Sequence, residues 1–292
     1  MALGKEVLDI VLDLYQREFF KKINSVLDMG DQDVNVKYEE IKKRFNDLNI
    51  NLKEDLWKNS KNFPVRPRVS SSILWNSLGI NNADRMDITK LERDKNDKNG
   101  YIIQDLNYPL ENKELFGKYD LVTDLGNNEH PFNIVEAYRT MHRLCKTGGY
   151  MIVAQAYLNG NGFYQFDHCT IDNIAAVNSY SVIHSCFIIN QGDKHISIPL
   201  DKDYLKLINL NDVKSISIFH ILKKNSLEDF KFPYQGKGSG LKANEYYEIK
   251  TSYENRLPSK IYLPSSAEEI NTKLLIKILI KRLLKKIKIL KK

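Results

Sequence analysis

The apolar positions of this chain change period several times. At the start they fall at Val7, Leu8, Val11, Leu12, Leu14 and Tyr15, a helical spacing that predicts an amphipathic helix over 5–20. INSVLDMG (23–30) is a short apolar run stopped by Gly30, the form of a buried first strand. Helical spacing returns at Tyr38–Leu48. The segment 51–69 is polar, carries Pro64 and Pro67, and predicts a loop or insertion. Ser70–Leu78 predicts a helix opened by serine caps. Short strands are expected at ADRMDIT (83–89) and YIIQDLN (101–107), with a charged segment between them.

The segment Tyr119–Gln155 is the most informative. YDLVTDLGNNEHPFN, IVEAYRTMHRLCK and TGGYMIVAQ predict a buried strand, a polar loop, an amphipathic helix, a Gly-Gly turn and a second buried strand. Such a unit belongs to a parallel sheet in an α/β domain. Ligands in open α/β sheets sit at the carboxyl ends of the strands. The cluster Asp124, Asn127, Asn128, Glu129 and His130 falls at that point, so fold logic puts the chemistry there. Farther on, Asp172–Tyr180 predicts a helix, SCFIINQG (185–192) a strand, and the alternating SISIFHILKK (215–224) a final strand. Residues 193–212 are ambiguous, and 225–270 are turn-rich and expected to wrap the surface.

Charge modifies this picture at one end only. The net charge is +7, but residues 273–292 hold nine Lys and Arg and no acid, which leaves the remainder at 7 − 9 = −2. The main body is therefore not a basic nucleic-acid surface. In the tail, Lys273, Lys277, Lys281, Lys285, Lys288 and Lys292 share one helical face. Leu275, Ile276, Leu279, Ile280, Leu283, Ile287 and Leu290 lie on the other. Charges recur too often for a membrane span, and a basic amphipathic helix suits an anionic membrane surface or packing on protein. Three cysteines with no CxxC spacing suggest neither a disulfide framework nor a zinc site. MALGKEVLDIVLDLYQREFF carries acids within its apolar pattern and does not read as a signal peptide. The expected location is cytoplasmic, peripheral at the inner face of the membrane through 273–292.

Candidate chemistry gathers at the predicted strand ends. The first strand ends in Asp28-Met29-Gly30-Asp31-Gln32-Asp33. One Gly and three acids repel a pyrophosphate, which disfavours a nucleotide-dependent oxidoreductase, and suit a cofactor bearing an ammonium or sulfonium group. Asp87, followed by Ile88, ends the second strand, where a carboxylate can accept both hydroxyls of a ribose. Asp84, one pleat away, is the alternative. Asp105 and Leu106 end the third, placed for an adenine amino group and ring nitrogen. Asp124 and Leu125 end the fourth. Each position also has an ordinary reading as a turn or cap.

Together, SSSILWNSLGINNADRMD, QDLNYPL, KYDLVTDLGNNEHPFN and TMHRLCKTGGYMIV resemble the class I S-adenosylmethionine-dependent methyltransferases over about 20–225. They look like a bacterial subgroup tied to surface-carbohydrate and small-molecule biosynthesis. The resemblance implies a Rossmann-like, seven-stranded, mostly parallel sheet with helices on both faces and the last strand antiparallel. It implies S-adenosylmethionine as cofactor, held by Asp28, Gly30, Asp31, Asp87, Ile88, Asp105, Leu106, Asp124 and Leu125. The reaction it suggests is O-methylation of a sugar or lipid-linked saccharide. The subgroup's fourth-strand loop reads like GTTEH; here it is Gly126-Asn127-Asn128-Glu129-His130, with Phe166-Asp167-His168 after the fifth strand. His130, His168 and Glu129 are the candidate catalytic residues, since a base assists a hydroxyl acceptor. No metal site is expected. The usual first motif DxGxGxG survives only as Asp28 and Gly30, with Gln32 and Val34 in place of the later glycines. A catalytically inactive binding module is therefore the rival reading. The Gly-rich, aromatic stretch Leu158–Phe166 could be a lid over the acceptor. The expected division is an N-terminal helix (1–22), the methyltransferase-like domain (23–225), a surface-wrapping segment (226–270) and a basic helix (271–292).

Overall fold

The computed structural model describes residues 2–54, 57, 69–90, 100–192, 195–233, 276 and 280. Helix α1 (Lys5–Gln16) buries Val7, Leu8, Val11, Leu12 and Leu14, the stripe that its spacing predicts. Strand β1 (Ala2–Leu3) precedes it, and β2 (Ser25–Met29) is the apolar run stopped by Gly30. Next come β3 (Asp33–Val34), α2 (Tyr38–Asp47), β4 (Val69–Ser70) and α3 (Ser71–Ser77). The hydroxyl of Ser70 accepts from Ser72 N and caps α3. They are followed by β5 (Asn82–Asp87), β6 (Tyr101–Ile103), β7 (Tyr119–Leu125), α4 (Ile134–Leu144) and β8 (Cys145–Leu158). The described part continues through α5 (Thr170–Val177), β9 (Tyr180–Asn190), β10 (His195–Pro199), the single turn α6 (Lys202–Leu205) and β11 (Ser215–Lys224).

The main sheet has the order β10-β9-β11-β8-β7-β2-β5-β6. β6, β5, β2, β7 and β8 are parallel, and β11 runs antiparallel between β8 and β9. This is a Rossmann-like α/β fold, mostly parallel, with the last strand antiparallel. It carries one strand more than expected: the ambiguous stretch 193–212 contains β10, which forms an antiparallel hairpin with β9. β8 also outruns its predicted bounds. It starts at Cys145, because the chain leaves α4 directly into pairing with Tyr119 and then shifts register around Gly148 and Gly149.

Two apolar cores flank the sheet. One lies under α4 and α5 and includes Met29, Val122, Tyr138, Met151, Phe187 and Leu222. The other lies under α1, α2 and α3 and includes Leu8, Val26, Phe45, Trp75, Leu121 and Phe219. The N-terminal helix thus packs into the core of the sheet. A small second sheet, β1-β3-β4, ties Ala2 and Leu3 to the turn after β2.

After β11 the chain runs up the furrow between α4 and α5, from the C-terminal end of α4 towards its N-terminal end. The backbone of Glu228 meets His142, Asp229 pairs with Arg143 at 3.1 Å, Lys231 N donates to Asn178 at 2.7 Å, and Phe232 lies under Arg139. His142 is buried between Tyr180 and Glu228, and burial pushes its pKa down to about 4. The expected wrapping segment beyond Pro233, and the C-terminal helix apart from Ile276 and Ile280, lie outside the described residues. Those two are helical and about half exposed. No helix among the described residues is long and apolar enough to cross a membrane.

Candidate active site

Five parallel strands present their carboxyl ends on one edge, and the predicted acids are all there or one pleat below. Asp28 is fully buried beneath that edge. Ser71 Oγ donates to it at 2.5 Å, Thr123 Oγ1 also donates, and Trp75 Nε1 donates to both oxygens at 3.1 Å. Burial pushes its pKa up to about 6, against these hydrogen bonds. Its lone pairs are spent inside the protein, so the first-motif acid here braces β2, α3 and β7 against one another. Gln32, at a position where the family pattern has glycine, is also buried and donates to Met29 O at 2.8 Å.

Gly30 has φ +80°, and a Cβ there would lie 2.8 Å from Asn127 Oδ1. The turn after β2 and the loop after β7 therefore meet at this glycine. The backbone N–H of Asp31 donates to Asp87 Oδ2 at 2.7 Å, and Ile88 N–H donates to Asp87 Oδ1 at 2.7 Å. Asp87 is half-buried at the edge and Ile88 is exposed. Asp84 is instead held by Tyr119 Oη at 2.7 Å and Gly100 N at 2.9 Å, well inside the strand. Asp105 Oδ1 accepts from the backbone and side chain of Asn107, both at 2.9 Å, and Leu106 is buried. Asn107 in turn accepts from Asn133, the cap of α4.

A residue that sequence reasoning missed is Arg85. It is buried in β5 beside Asp28, with its guanidinium 3.5 Å from Asp31 Oδ1 and stacked over Tyr101. The signal was there: an Arg in the middle of a strand otherwise buried on both faces needs a partner.

The fourth-strand loop differs in character. Asp124 is fully buried, accepts from the backbones of Asn127 (2.8 Å) and Asn128 (3.1 Å) and from Gln155, and is raised by burial to about 7. It shapes the loop. Leu125 is buried behind it. Next to it, Asn128 is fully buried with neither Oδ1 nor Nδ2 hydrogen-bonded among the described residues. Glu129 is also fully buried. Its Oε2 accepts from Ala156 N at 2.8 Å, while its Oε1 has no hydrogen-bond partner among the described residues and lies 3.9 Å from His130 Nε2. Burial raises the Glu129 pKa and lowers that of His130. His130 is half-exposed, so one side of the ring faces the carboxylate and the other is open to a ligand.

The stretch 158–166 folds over this pair. Phe163 N–H donates to Glu129 O at 2.8 Å, and Tyr164 Oη donates to Phe132 O at 2.6 Å. A Cβ on Gly162 would sit 2.4 Å from Glu129 O, so only glycine permits this approach. Outside, Phe132 and Phe163 meet edge to face at 6.0 Å, both largely exposed. His168 pairs with Asp167 at 2.5 Å and stacks on Phe187, while Lys202 holds the other oxygen of Asp167 at 3.0 Å. Asp167, His168 and Cys169 bring their donor atoms within 4.8 Å of one another, but Lys202 already supplies the cation that this carboxylate needs.

No family model matches the chain, and no curated protein matches it. Solved structures do resemble it in fold. One is the 1,6-didemethyltoxoflavin-N1-methyltransferase of Burkholderia thailandensis with 1,6-didemethyltoxoflavin and S-adenosylhomocysteine bound. It is 9% identical over 76% of this chain and 80% of that one, with a TM-score of 0.42. A second is a protein of Bacillus halodurans described as a putative methyltransferase, 10% identical over 72% of this chain and 97% of that one, TM-score 0.40. A third is a SAM-dependent methyltransferase from Archaeoglobus fulgidus, 14% identical over 74% and 94%, TM-score 0.38. At these identities the likeness is one of fold.

Proposed function

We propose that this chain is an S-adenosylmethionine-dependent methyltransferase that transfers a methyl group to a hydroxyl of a small molecule, a sugar or lipid-linked saccharide. The observation that carries the reading is the buried, half-satisfied Glu129 beside His130 under a glycine-hinged loop. A buried carboxylate oxygen without a partner is costly. Here it faces the one ring whose basicity it can raise. With Nε2 on the Glu129 side, Nδ1 is the nitrogen left to take a proton from an acceptor hydroxyl; the carboxylate then stabilises the imidazolium. His130, kept neutral by its partial burial, is ready to accept at neutral pH. The loop 158–166 excludes water and holds the acceptor against this pair.

The strand-end residues fit the nucleoside of such a cofactor. Asp87 and Asp105 stand half-buried at the edge for hydroxyl and amino donors, and Ile88 and Ile103, both more than half exposed, offer apolar faces to a base. Gly30 and Asp31 border the same edge. When bound, the cofactor supplies an electrophilic methyl group. Asp28 is not a direct contact in this proposal: its oxygens are already taken.

Calorimetric titration with S-adenosylhomocysteine tests the reading, with micromolar binding expected for wild type and for His130→Ala. Absence of both heat and a thermal shift at millimolar ligand would leave the rival, an inactive methyltransferase-fold binding module. The basic stretch 273–292 is proposed to rest on an anionic membrane surface, a reading that the exposed Ile276 and Ile280 support. Pelleting with anionic but not neutral vesicles tests it.

A further inference from the structure

The loop 158–166 is anchored at its ends and lightly held between them. At one end Asn159, in the left-handed region at φ +56°, donates from Nδ2 to Lys214 O at 3.1 Å. At the other, Phe166 is buried and its N–H donates to Ala156 O at 2.7 Å. The span 160–165 rests on the segment that carries the candidate base. Phe163 N–H and Tyr164 N–H donate to Glu129 O at 2.8 and 3.3 Å, and Tyr164 Oη donates to Phe132 O at 2.6 Å. The outer side of the span faces solvent, with Phe163 72% exposed. The seat depends on two glycines: a Cβ on Gly162 would lie 2.4 Å from Glu129 O, and one on Gly160 2.3 Å from Ala156 Cβ.

What this seat covers is costly to cover. Glu129 is fully buried under it, and its Oε1, without a hydrogen-bond partner among the described residues, would be 3.7 Å from a Cβ on Gly160. An orphaned charged oxygen costs several kcal/mol or shifts its proton equilibrium instead. Three neutral hydrogen bonds contribute about 1 kcal/mol each. The two sides are of the same order, so the closed and lifted positions of the span lie close in free energy. Two events give Glu129 Oε1 a partner: water, once the span lifts, or the donor group of a molecule bound beneath it. A hydroxyl or ammonium head arriving there would take away the reason to open.

We propose that residues 160–165 form a gate that Glu129 both shuts and opens: its backbone oxygen latches the span, and its buried carboxylate drives the span off while no donor is present. The empty protein therefore opens this span by a local movement, independently of unfolding of the sheet. The gate does not rest on the methyltransferase reading; only the identity of the molecule that it closes over does.

The test is amide hydrogen exchange of the full chain without ligand, read residue by residue, beside calorimetry with S-adenosylhomocysteine. In wild type the N–H groups of Phe163 and Tyr164 should exchange about a hundredfold or more faster than those of Val153 and Ala154, inside β8. Glu129→Gln keeps the latching backbone oxygen and removes the charge. It should slow Phe163 and Tyr164 about tenfold relative to Val153 and Ala154, the equivalent of 1.4 kcal/mol. Gly162→Ala should speed them about tenfold or more. Tyr164→Phe, which loses only the bond to Phe132 O, should speed them about threefold, on the scale of one neutral hydrogen bond. If Gly162→Ala loses its cooperative melt, Tyr164→Phe alone carries the latch arm. Exchange of Phe163 and Tyr164 as slow as in β8 overturns the proposal. So does unslowed exchange in Glu129→Gln, or unaltered exchange in Tyr164→Phe. If the exchange pattern holds while S-adenosylhomocysteine gives no heat, the gate stands and the methyltransferase reading falls.

Discussion

Asp28 and Glu129 are both fully buried acids near the same edge of the same sheet, and the structure treats them in opposite ways. Asp28 is surrounded by Ser71, Thr123 and Trp75, which together occupy both of its oxygens. Glu129 has one oxygen fixed by Ala156 and the other without a hydrogen-bond partner among the described residues, facing His130. Burial raises both pKa values. The difference lies in satisfaction. An acid whose hydrogen bonds are complete is a brace, and one left half complete is held ready for something that is not yet there. Position in a motif did not separate the two; accounting for each lone pair does.

The largest test of this contrast is at Glu129. Glu129→Gln and His130→Ala should each lower methyl transfer 10²–10⁴-fold, roughly the range of a general base. Neither should cost folding stability, and Glu129→Gln should hold or raise it, since the change removes a buried charge. A urea melt that shifts down by several kcal/mol in Glu129→Gln would make Glu129 a second brace and dissolve the contrast.

Next in size is Asp28→Ala. It strands the Trp75 N–H and two hydroxyls, and should cost about 3 kcal/mol in urea unfolding. Unchanged stability with lost S-adenosylhomocysteine binding would instead restore Asp28 to the cofactor. The same residue gives a pH signature. Its folded pKa is about 6 against an ordinary 3.8. Between these values the native state binds more protons at this group than the unfolded state does. Its contribution to stability is therefore greatest below about pH 4 and declines as pH rises through 6. Wild type should gain stability relative to Asp28→Asn as pH is lowered from 7 to 4. His142, depressed to about 4, acts in the opposite sense in both proteins and cancels in the difference. A flat difference across that range would mean that the carboxylate is already ionised and compensated.

A smaller effect is expected at Asp87, which already serves the backbone of Asp31 and Ile88. Asp87→Ala should weaken S-adenosylhomocysteine by about 1.5–3 kcal/mol, the scale of hydrogen bonds to a charged group. Unaltered affinity would remove it from the site. The smallest is Gly30→Ala. A positive φ and a Cβ 2.8 Å from Asn127 should cost about 1–2 kcal/mol of stability, read as a shift in the melt, and should disturb both loops at once. A neutral result would mean that the two loops are not coupled through this glycine.

Much of the fold could be read along the chain because its strands and helices bury simple faces. α1, β2, β7, α4 and β11 follow directly from apolar spacing. β10 could not be read, since HISIP is short and gains its pairing only from the hairpin with β9. The early start of β8 was hidden by Thr147, Gly148 and Gly149, which look like a turn and lie in the register shift between the paired Cys145 and Tyr150. The sequence placed His130, Glu129, Asp87 and Asp105 at the carboxyl ends of the strands, where the structure has them. It could not tell that Asp28 would be consumed by Ser71, Thr123 and Trp75, because those partners are 43 to 95 residues away. His168 was grouped with His130 from its place after the fifth strand; its contacts with Asp167 and Phe187 are ones that this place does not reveal. Arg85 went unnoticed because its partners, too, are defined only by register.

The extra hairpin strand has a consequence for how the protein behaves in a crowded solution. An open sheet ends in unpaired backbone at each side, and such margins invite other chains to add on strand by strand. Here one margin is β6, only three residues long. The other is β10, which ends in Pro199, a residue with no N–H to offer, and whose His195 is tied to Glu6 of α1 at 2.7 Å. Both margins are thus poor templates. Strand β10 is therefore expected to resist the addition of a further strand. Replacing Pro199 with a β-branched residue should make this margin a better template, checked as thioflavin-positive growth with no loss of the native melt.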